Sequence, residues 1–330
     1  MKKLYVVSTY YHALISCVKQ LLNYDTADII CTSYIPDGKS LSDKLKESGI
    51  FEKTYYIGKI NEYEPLNKFD YIFFYHKKNA ETIEKQFTID LSVYDEINIF
   101  HDNTWFAHYL KDKRIKYRLI EDALDSFKYI SKSNFSFMLN NGCVKSALKK
   151  FFGIGYVYCG YDKCTAEVEV NDKRNIVIKR FADGKLIEVP REAMFNALTS
   201  KDRDILKSVF LKDMPEIIPN NTVLLLTQPF YTDKVVNSEK EQIKLYKQLV
   251  MKNTSEISEE QLVIKPHPRD NTDYAPFFPE AVILDKNMPV EILLLIKNAE
   301  FSKILSINST AAKFLKAKSY FIKNLSEEKR

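Results

Sequence analysis

The sequence predicts an α/β protein made of two doubly wound, Rossmann-like lobes with a cleft between them. Three features predict it. Short apolar runs of β character recur along the chain, stretches with apolar residues at helical spacing separate them, and this rhythm fades in the middle and restarts in the last third. Strands alternating with helices imply a mainly parallel sheet with helices on both faces. In such folds ligands bind at the carboxyl ends of the strands.

The first lobe opens on the strand-like run Leu4–Ser8, followed by a helix over Tyr11–Leu22 whose apolar positions are Ala13, Leu14, Cys17, Val18, Leu21 and Leu22. Further strands are expected at Asp28–Thr32, Thr54–Ile57, Tyr71–Tyr75, Ile97–Phe100 and Tyr117–Ile120, and helices at Ser40–Ser48 and Trp105–Lys111. From Ser131 to Asn220 the pattern is less regular. It holds short strand-like pieces (Ala166–Val170, Asn175–Arg180, Lys185–Val189) and a helix around Glu192–Leu211. The run Met214–Asn221 (MPEIIPNN), rich in proline and asparagine, reads as a boundary. It divides the chain into lobes of residues 1–215 and 216–330. In the second lobe, strands are expected at Val223–Thr227, Leu262–Lys265, Ala281–Leu284 and Lys303–Ser306. Helices are expected at Ser238–Lys252, where Ser238 and Glu241 form a capping pattern, at Val290–Ile296 and at Ser309–Lys316.

Composition narrows the function. Apolar residues make up 45% of the 330-residue chain, and 21 Tyr with 21 Phe is a content that a disordered chain does not carry. The net charge of +5, from 49 basic and 44 acidic residues, is too slight to argue for nucleic acid. It suits an anionic substrate or light contact with an anionic membrane surface. The five cysteines (Cys17, Cys31, Cys143, Cys159, Cys164) form no CxxC pair and have no His cluster around them, so free thiols in a reducing cytosol are expected. The opening MKKLYVVSTYYH has neither the apolar core nor the cleavage site of a signal peptide. No apolar run reaches the ~18–20 residues of a membrane span. The expected location is therefore cytoplasmic, including the inner face of the plasma membrane. Glycine is scarce, with eight in the chain against a usual ~7%. No GxGxxG or GxxxxGK[ST] occurs, so a phosphate must be held by hydroxyls, basic side chains or a helix N-terminus.

Five segments carry candidate chemistry. In Lys265-Pro266-His267-Pro268-Arg269, two prolines clamp the backbone around one histidine at the end of a strand, and two cations flank it. Such a histidine can meet a phosphate leaving group with a proton or a hydrogen bond; the alternative is a surface turn with an incidental His. Ser306-Ile307-Asn308-Ser309-Thr310-Ala311-Ala312 sets hydroxyls at a strand-to-helix junction, either as a phosphate cradle or as plain N-capping by Ser309. Arg118–Ala123 ends a strand in the carboxylates Glu121 and Asp122, which offer a general base or an acidic turn. Thr227-Gln228-Pro229 with Asp233 follows another buried strand, and Glu291 stands near a helix start, where it can answer the dipole or take a ribose diol. His12 and His76 read as ordinary cleft or surface residues, while His101, Asp102 and Trp105 could line an acceptor side. No metal-ligand spacing is present.

The order Glu121-Asp122, then His267-Pro268, then Ser309-Thr310 is similar to that of bacterial sialyltransferases. The chain resembles the family 52 glycosyltransferases, which include lipooligosaccharide and capsule sialyltransferases. The resemblance spans most of the chain, with KPHPRD its distinctive motif. It implies a GT-B-type fold with the nucleotide in the C-terminal lobe, and an inverting, metal-independent reaction with no cofactor. The donor would be CMP-sialic acid and the acceptor a galactose-terminated glycan. His267 would assist departure of CMP, Ser309 and Thr310 would hold its phosphate, and Glu291 its ribose. Lys265, Pro268, Arg269 and Gln228 would complete the donor site, and Asp122 would be the base. The usual acidic pair ends in glycine, whereas Ala123 follows here, so the base stays open between Glu121, Asp122 and Asp233. A homodimer and peripheral contact with the inner membrane fit this picture, and nucleic acid does not. Two rivals remain: a CDP-glycerol-type phosphotransferase of wall polymer synthesis, and a non-catalytic sugar-nucleotide-binding partner in capsule assembly.

Overall fold

A computed structural model describes residues 1–23, 25–123, 156, 158–160, 162–175, 185–211, 222–254, 262–295, 301–307, 312, 315 and 317–323. The chain divides into two compact units, Met1–Leu198 and Thr199–Arg330.

The first unit contains β1 (Lys2–Val7), α1 (Tyr10–Leu21), β2 (Thr26–Thr32), α2 (Gly38–Ser48), β3 (Lys53–Ile57), α3 (Lys68–Phe73), α4 (Tyr75–Glu84), β4 (Glu96–Ile99), α5 (Trp105–Asp112), β5 (Tyr117–Ile120), β6 (Thr165–Val170), β7 (Leu186–Glu188) and α6 (Arg191–Ala197). Its strands lie in the order β3-β2-β1-β4-β5-β6-β7, and every pairing is parallel. Central strands of a parallel sheet are covered on both faces, which is why they are continuous apolar runs. β1 and β2 accordingly pair Tyr5 with Ile29 and Val6 with Ile30, all buried. Leu4, Val6, Ile97, Ile99, Leu119 and Val168 share one core with Phe106 and Leu110 of α5.

The second unit contains α7 (Ser200–Phe210), β8 (Val223–Leu226), α8 (Glu239–Asn253), β9 (Leu262–Lys265), β10 (Val282–Ile283), a 3-10 turn (Val290–Leu295), β11 (Phe301–Ile307) and β12 (Ala317–Lys323). Its sheet runs β10-β9-β8-β11-β12, again parallel throughout. Val223, Leu225, Tyr246, Leu262, Ile264, Tyr274 and Leu305 form its core. Both sheets thus have the doubly wound order. The chain leaves the first strand in one direction and returns on its other side, so a crevice opens where the order reverses. That switch point lies between β1 and β4 in the first unit and between β8 and β11 in the second.

Several expectations shift. Tyr71–Tyr75 is not a strand: α3 and α4 occupy it. The side chain of Asn67 accepts from the Asp70 N–H at 2.9 Å and starts a helix there, and Phe69, Phe73 and Phe74 stay exposed, unlike a buried strand. The helix expected over Glu192–Leu211 is two, because Thr199 and Asp202 form a capping box that opens α7. α7 packs against the turn Val290–Leu295 and so belongs to the second unit, although the sequence reading places it before its boundary at 215/216. The helix expected at Val290–Ile296 is a 3-10 turn over Val290–Leu295, and the structure adds a strand, β12. Ser238 caps α8 as its pattern predicts, accepting from the Glu241 N–H at 3.2 Å. Most of Asn175–Arg180, Met214–Asn221 and Ser309–Lys316 lies outside the described residues. Cys17, Cys31 and Cys164 are buried free thiols. Among the described residues, no helix is long and apolar enough to cross a membrane.

Candidate functional site

The carboxyl ends of the first sheet gather three polar side chains, one from a helix start and two from loops. His12 stands in the first turn of α1, which Thr9 caps by accepting the His12 N–H at 3.1 Å. His101 follows β4 and Asp122 follows β5. The His12 ring is wholly buried. Its Nδ1 accepts the Ser8 N–H at 3.2 Å, and its Nε2 lies 2.6 Å from Asp122 Oδ1. A nitrogen that accepts carries no proton, so the proton is on Nε2 and is donated to Asp122. His101 Nε2 lies 3.2 Å from the same oxygen. Phe100 stacks on the His12 ring with centroids 4.2 Å apart and planes within 8°.

Burial lowers the pKa of His12 more than Asp122 raises it, so the ring is neutral. For Asp122 burial pulls upward, but the hydrogen bond from His12, with the electrostatic influence of the neighbouring imidazoles, outweighs it and holds the carboxyl below its usual range. The result is a carboxylate anchored through Oδ1. Its side chain is 39% exposed, and among the described residues nothing donates to Oδ2. Ligand atoms of His12, His101 and Asp122 lie within 4.8 Å of one another, a set that can in principle hold a divalent ion. The protonation pattern argues against it. A metal on His12 Nε2 would displace that proton while the Ser8 N–H still occupies Nδ1, leaving the ring with none.

The other acidic candidates are engaged elsewhere. Glu121 is buried, and its Oε2 accepts the Asn171 N–H at 2.7 Å, tying β5 to the loop after β6. Asp233 forms a two-pronged ion pair with Arg269 at 2.6 and 3.0 Å. Asp102 and Trp105 do not line a surface: Asp102 is buried and accepts the Gly160 N–H at 2.9 Å, and Trp105 packs on Phe87. His76 pairs with the buried Asp112 at 2.8 Å.

At the carboxyl ends of the second sheet, His267 follows β9. Its N–H donates to Thr227 Oγ1 at 3.3 Å, and its Nδ1 accepts the Arg269 N–H at 3.1 Å. The ring is therefore also an Nε2–H tautomer. Burial, with the charges of Arg269 and Lys265, pushes its pKa down to about 4, so it is neutral at physiological pH. Buried Asp270 organises the loop. It accepts from Thr227 Oγ1 at 2.8 Å, Tyr274 Oη at 2.7 Å and Gln242 Nε2 at 3.1 Å.

Lys265 turns inward: its Nζ donates to the carbonyls of Pro266 at 2.6 Å and Lys286 at 3.0 Å. Burial lowers its pKa to about 8 despite Glu291 and Asp285. Glu291 is buried, and burial raises its pKa to about 7 against the opposing Lys265. Pro268 and Arg269 are exposed, and Gln228 sits half-buried just past β8. Ser309 and Thr310 lie outside the described residues; they follow β11 in sequence.

The structure thus brings Asp122 together with His101, and His267 with Thr227. His12, which the sequence reads as an ordinary cleft or surface residue, is buried and bonded to Asp122. The signal for His12 was its place in the first turn after the first strand, which borders the switch point. Asp270 stood in KPHPRD, but nothing local marks an aspartate as buried.

The family model for glycosyltransferase family 52 matches residues 46–325. A protein of Haemophilus influenzae (strain ATCC 51907 / DSM 11121 / KW20 / Rd), described as an uncharacterized protein, is 36% identical over 97 residues, which is 29% of this chain and 30% of that protein. The chain spans under a third of the length of that relative. The family match covers both parallel sheets from β3 onward, including Asp122 and His267, and the chain belongs to glycosyltransferase family 52.

Proposed function

We propose that the protein is an inverting sialyltransferase of the GT-B type that moves sialic acid from CMP-sialic acid to a hydroxyl of a terminal galactose on a bacterial surface glycan. The observation that carries this reading is His267. In a family 52 chain, a proline-clamped imidazole presents a neutral Nε2–H at the end of a doubly wound sheet, where a nucleotide's phosphate is expected.

On this reading Asp122 Oδ2 takes the proton of the acceptor hydroxyl. The acceptor oxygen bonds to the anomeric carbon from the face opposite the phosphate. The bond from that carbon to the CMP oxygen breaks, and its electron pair stays on the phosphate. His267 Nε2–H donates a hydrogen bond to that oxygen as charge grows there. Without a ligand the ring is neutral at physiological pH, because burial and the charges of Arg269 and Lys265 push its pKa down to about 4, and its Nε2–H is available to donate to the leaving group. Ser309 and Thr310 hold the phosphate, Glu291 the ribose diol, and Gln228, Pro268 and Arg269 border the nucleotide. Lys265 serves the site by staking the loops after β9 and β10 through two carbonyls. No metal is assigned a step, and the enzyme acts at the cytosolic face of the inner membrane.

The test is a donor screen without acceptor, comparing release of nucleotide from CMP-sialic acid, CDP-glycerol, UDP-galactose and GDP-mannose, with calorimetry of CMP, UMP and GMP. The expected result is CMP release from CMP-sialic acid alone and tightest binding of CMP. Turnover of CDP-glycerol would replace this reading with a phosphotransferase, and CMP binding without turnover in a broad acceptor panel would make the protein a binding partner.

A further inference from the structure

We infer that His12 is a positioning residue for the acceptor-side base: it holds Asp122 by Oδ1 so that Oδ2 is left to face the acceptor hydroxyl. The inference rests on the assignment of Asp122 as base.

Burying an imidazole costs free energy unless both nitrogens find partners. His12 is wholly buried, and both nitrogens are satisfied. Three contacts fix the ring. The Ser8 N–H meets Nδ1 at 3.2 Å, Phe100 lies flat on one face at 4.2 Å, and Asp122 Oδ1 closes the other end at 2.6 Å. The backbone donor on Nδ1 decides the tautomer, and so makes Nε2 a donor toward Asp122. His101 adds a second contact to the same oxygen at 3.2 Å. Asp122 stands just past β5, and one of its two oxygens is held by His12 of α1 and His101 of the loop after β4. The carboxylate therefore cannot turn without breaking the His12 bond. A base fixed in this way removes the proton from one direction only, and an error of about 1 Å in such a group can cost roughly 10²-fold in rate. After transfer Oδ2 carries the proton, Oδ1 still accepts from Nε2, and the imidazole stays neutral throughout, because its second nitrogen is occupied by the backbone.

Two amide replacements separate positioning from structure. His12→Asn keeps an acceptor near the place of Nδ1 for the Ser8 N–H but has no donor that reaches Asp122. His12→Gln puts an amide N–H near the place of Nε2 but loses the acceptor. Acceptor-dependent CMP release from CMP-sialic acid with lactose is measured for both variants, for Asp122→Asn and for the double variant His12→Asn/Asp122→Asn, with melting temperatures. Positioning predicts that His12→Asn lowers kcat about 10²-fold with donor KM unchanged, that His12→Gln recovers most of it, and that His12→Asn adds nothing on the Asp122→Asn background. The opposite order, with His12→Asn active and His12→Gln impaired, makes His12 a loop cap and overturns the inference. Equal losses in both variants, or a further loss on the Asp122→Asn background, overturn it as well. Failure of the base assignment shows separately, as wild-type turnover in Asp122→Asn. If the variants do not fold, ring nitrogen NMR of the wild type still decides. A neutral Nε2–H ring at His12 is expected, and an Nδ1–H ring or an imidazolium contradicts the proposal.

Discussion

At the scale of single residues, the account turns on tautomers and charge states. Two imidazoles are fixed as Nε2–H donors because a backbone N–H occupies each Nδ1, from Ser8 in one case and Arg269 in the other. For His267 this predicts a leaving-group effect. His267→Ala removes one donor that strengthens as phosphate charge develops, and kcat should fall about 10²–10³-fold with donor KM nearly unchanged. A sialic acid donor with a better leaving group than CMP should recover part of the loss; an equal fall with both donors would make His267 a binding residue. Glu291 gives a pH prediction. Burial raises its pKa to about 7, so on the proposed reading, in which it takes the ribose diol, it carries a proton below neutrality. A ribose diol donates to the ionised form, so binding must expel that proton. Cytidine affinity should therefore rise as pH goes from 5.5 to about 7 and level off above. Calorimetry across this range should show the slope in wild type and lose it in Glu291→Gln; a flat wild-type profile would remove Glu291 from the ribose site. Little of this was legible in the sequence. The prolines announce that His267 is rigid, but which nitrogen bears the proton depends on a contact two residues away, and the partner of His12 lies 110 residues away.

At the scale of elements, buried charge ties the helices to the first sheet. Glu169 on β6 is buried between Lys19 of α1, at 2.6 Å, and Arg191 of α6, at 2.7 Å. Burial alone would raise its pKa, but the two cations outweigh that and keep it ionised below the usual carboxylate range. Removing one member of such a cluster leaves uncompensated charge, which typically costs about 3–5 kcal/mol. Glu169→Gln should therefore destabilise the first unit by about that amount in urea unfolding at pH 7. A change below ~1 kcal/mol would mean that the cluster contributes nothing net. The same anchoring sets α1, and with it His12, against the sheet. Strands such as β1, β2 and β8 were legible because a buried parallel strand is apolar throughout. Tyr71–Tyr75 misled for the matching reason: its aromatic content imitates a strand, while the signal that decides, the Asn67 cap, lies outside the run. The split between α6 and α7 was likewise hidden by continuous helical propensity across Leu198 and Thr199.

At the scale of the whole molecule, the two-unit division and the parallel doubly wound sheets follow from the repeated strand–helix rhythm, and each sheet carries one set of candidate residues at the carboxyl ends of its strands. The first set is a carboxylate held by histidines, and the second a proline-clamped histidine. A general base and a leaving-group donor are the two requirements of an inverting transfer that uses no metal. Full turnover is accordingly expected in excess EDTA, and loss on chelation that Mg²⁺ or Mn²⁺ restores would return His12, His101 and Asp122 to consideration as ligands. The most direct test of the central claim is the stimulation of CMP release from CMP-sialic acid by lactose, compared in wild type and Asp122→Asn. The account predicts that lactose accelerates release in the wild type. It predicts that Asp122→Asn loses ~10²–10⁴-fold of this stimulated rate, as removal of a general base does, while still binding CMP with wild-type affinity. A wild-type response to lactose in Asp122→Asn, or loss of CMP affinity in place of loss of stimulation, would contradict it.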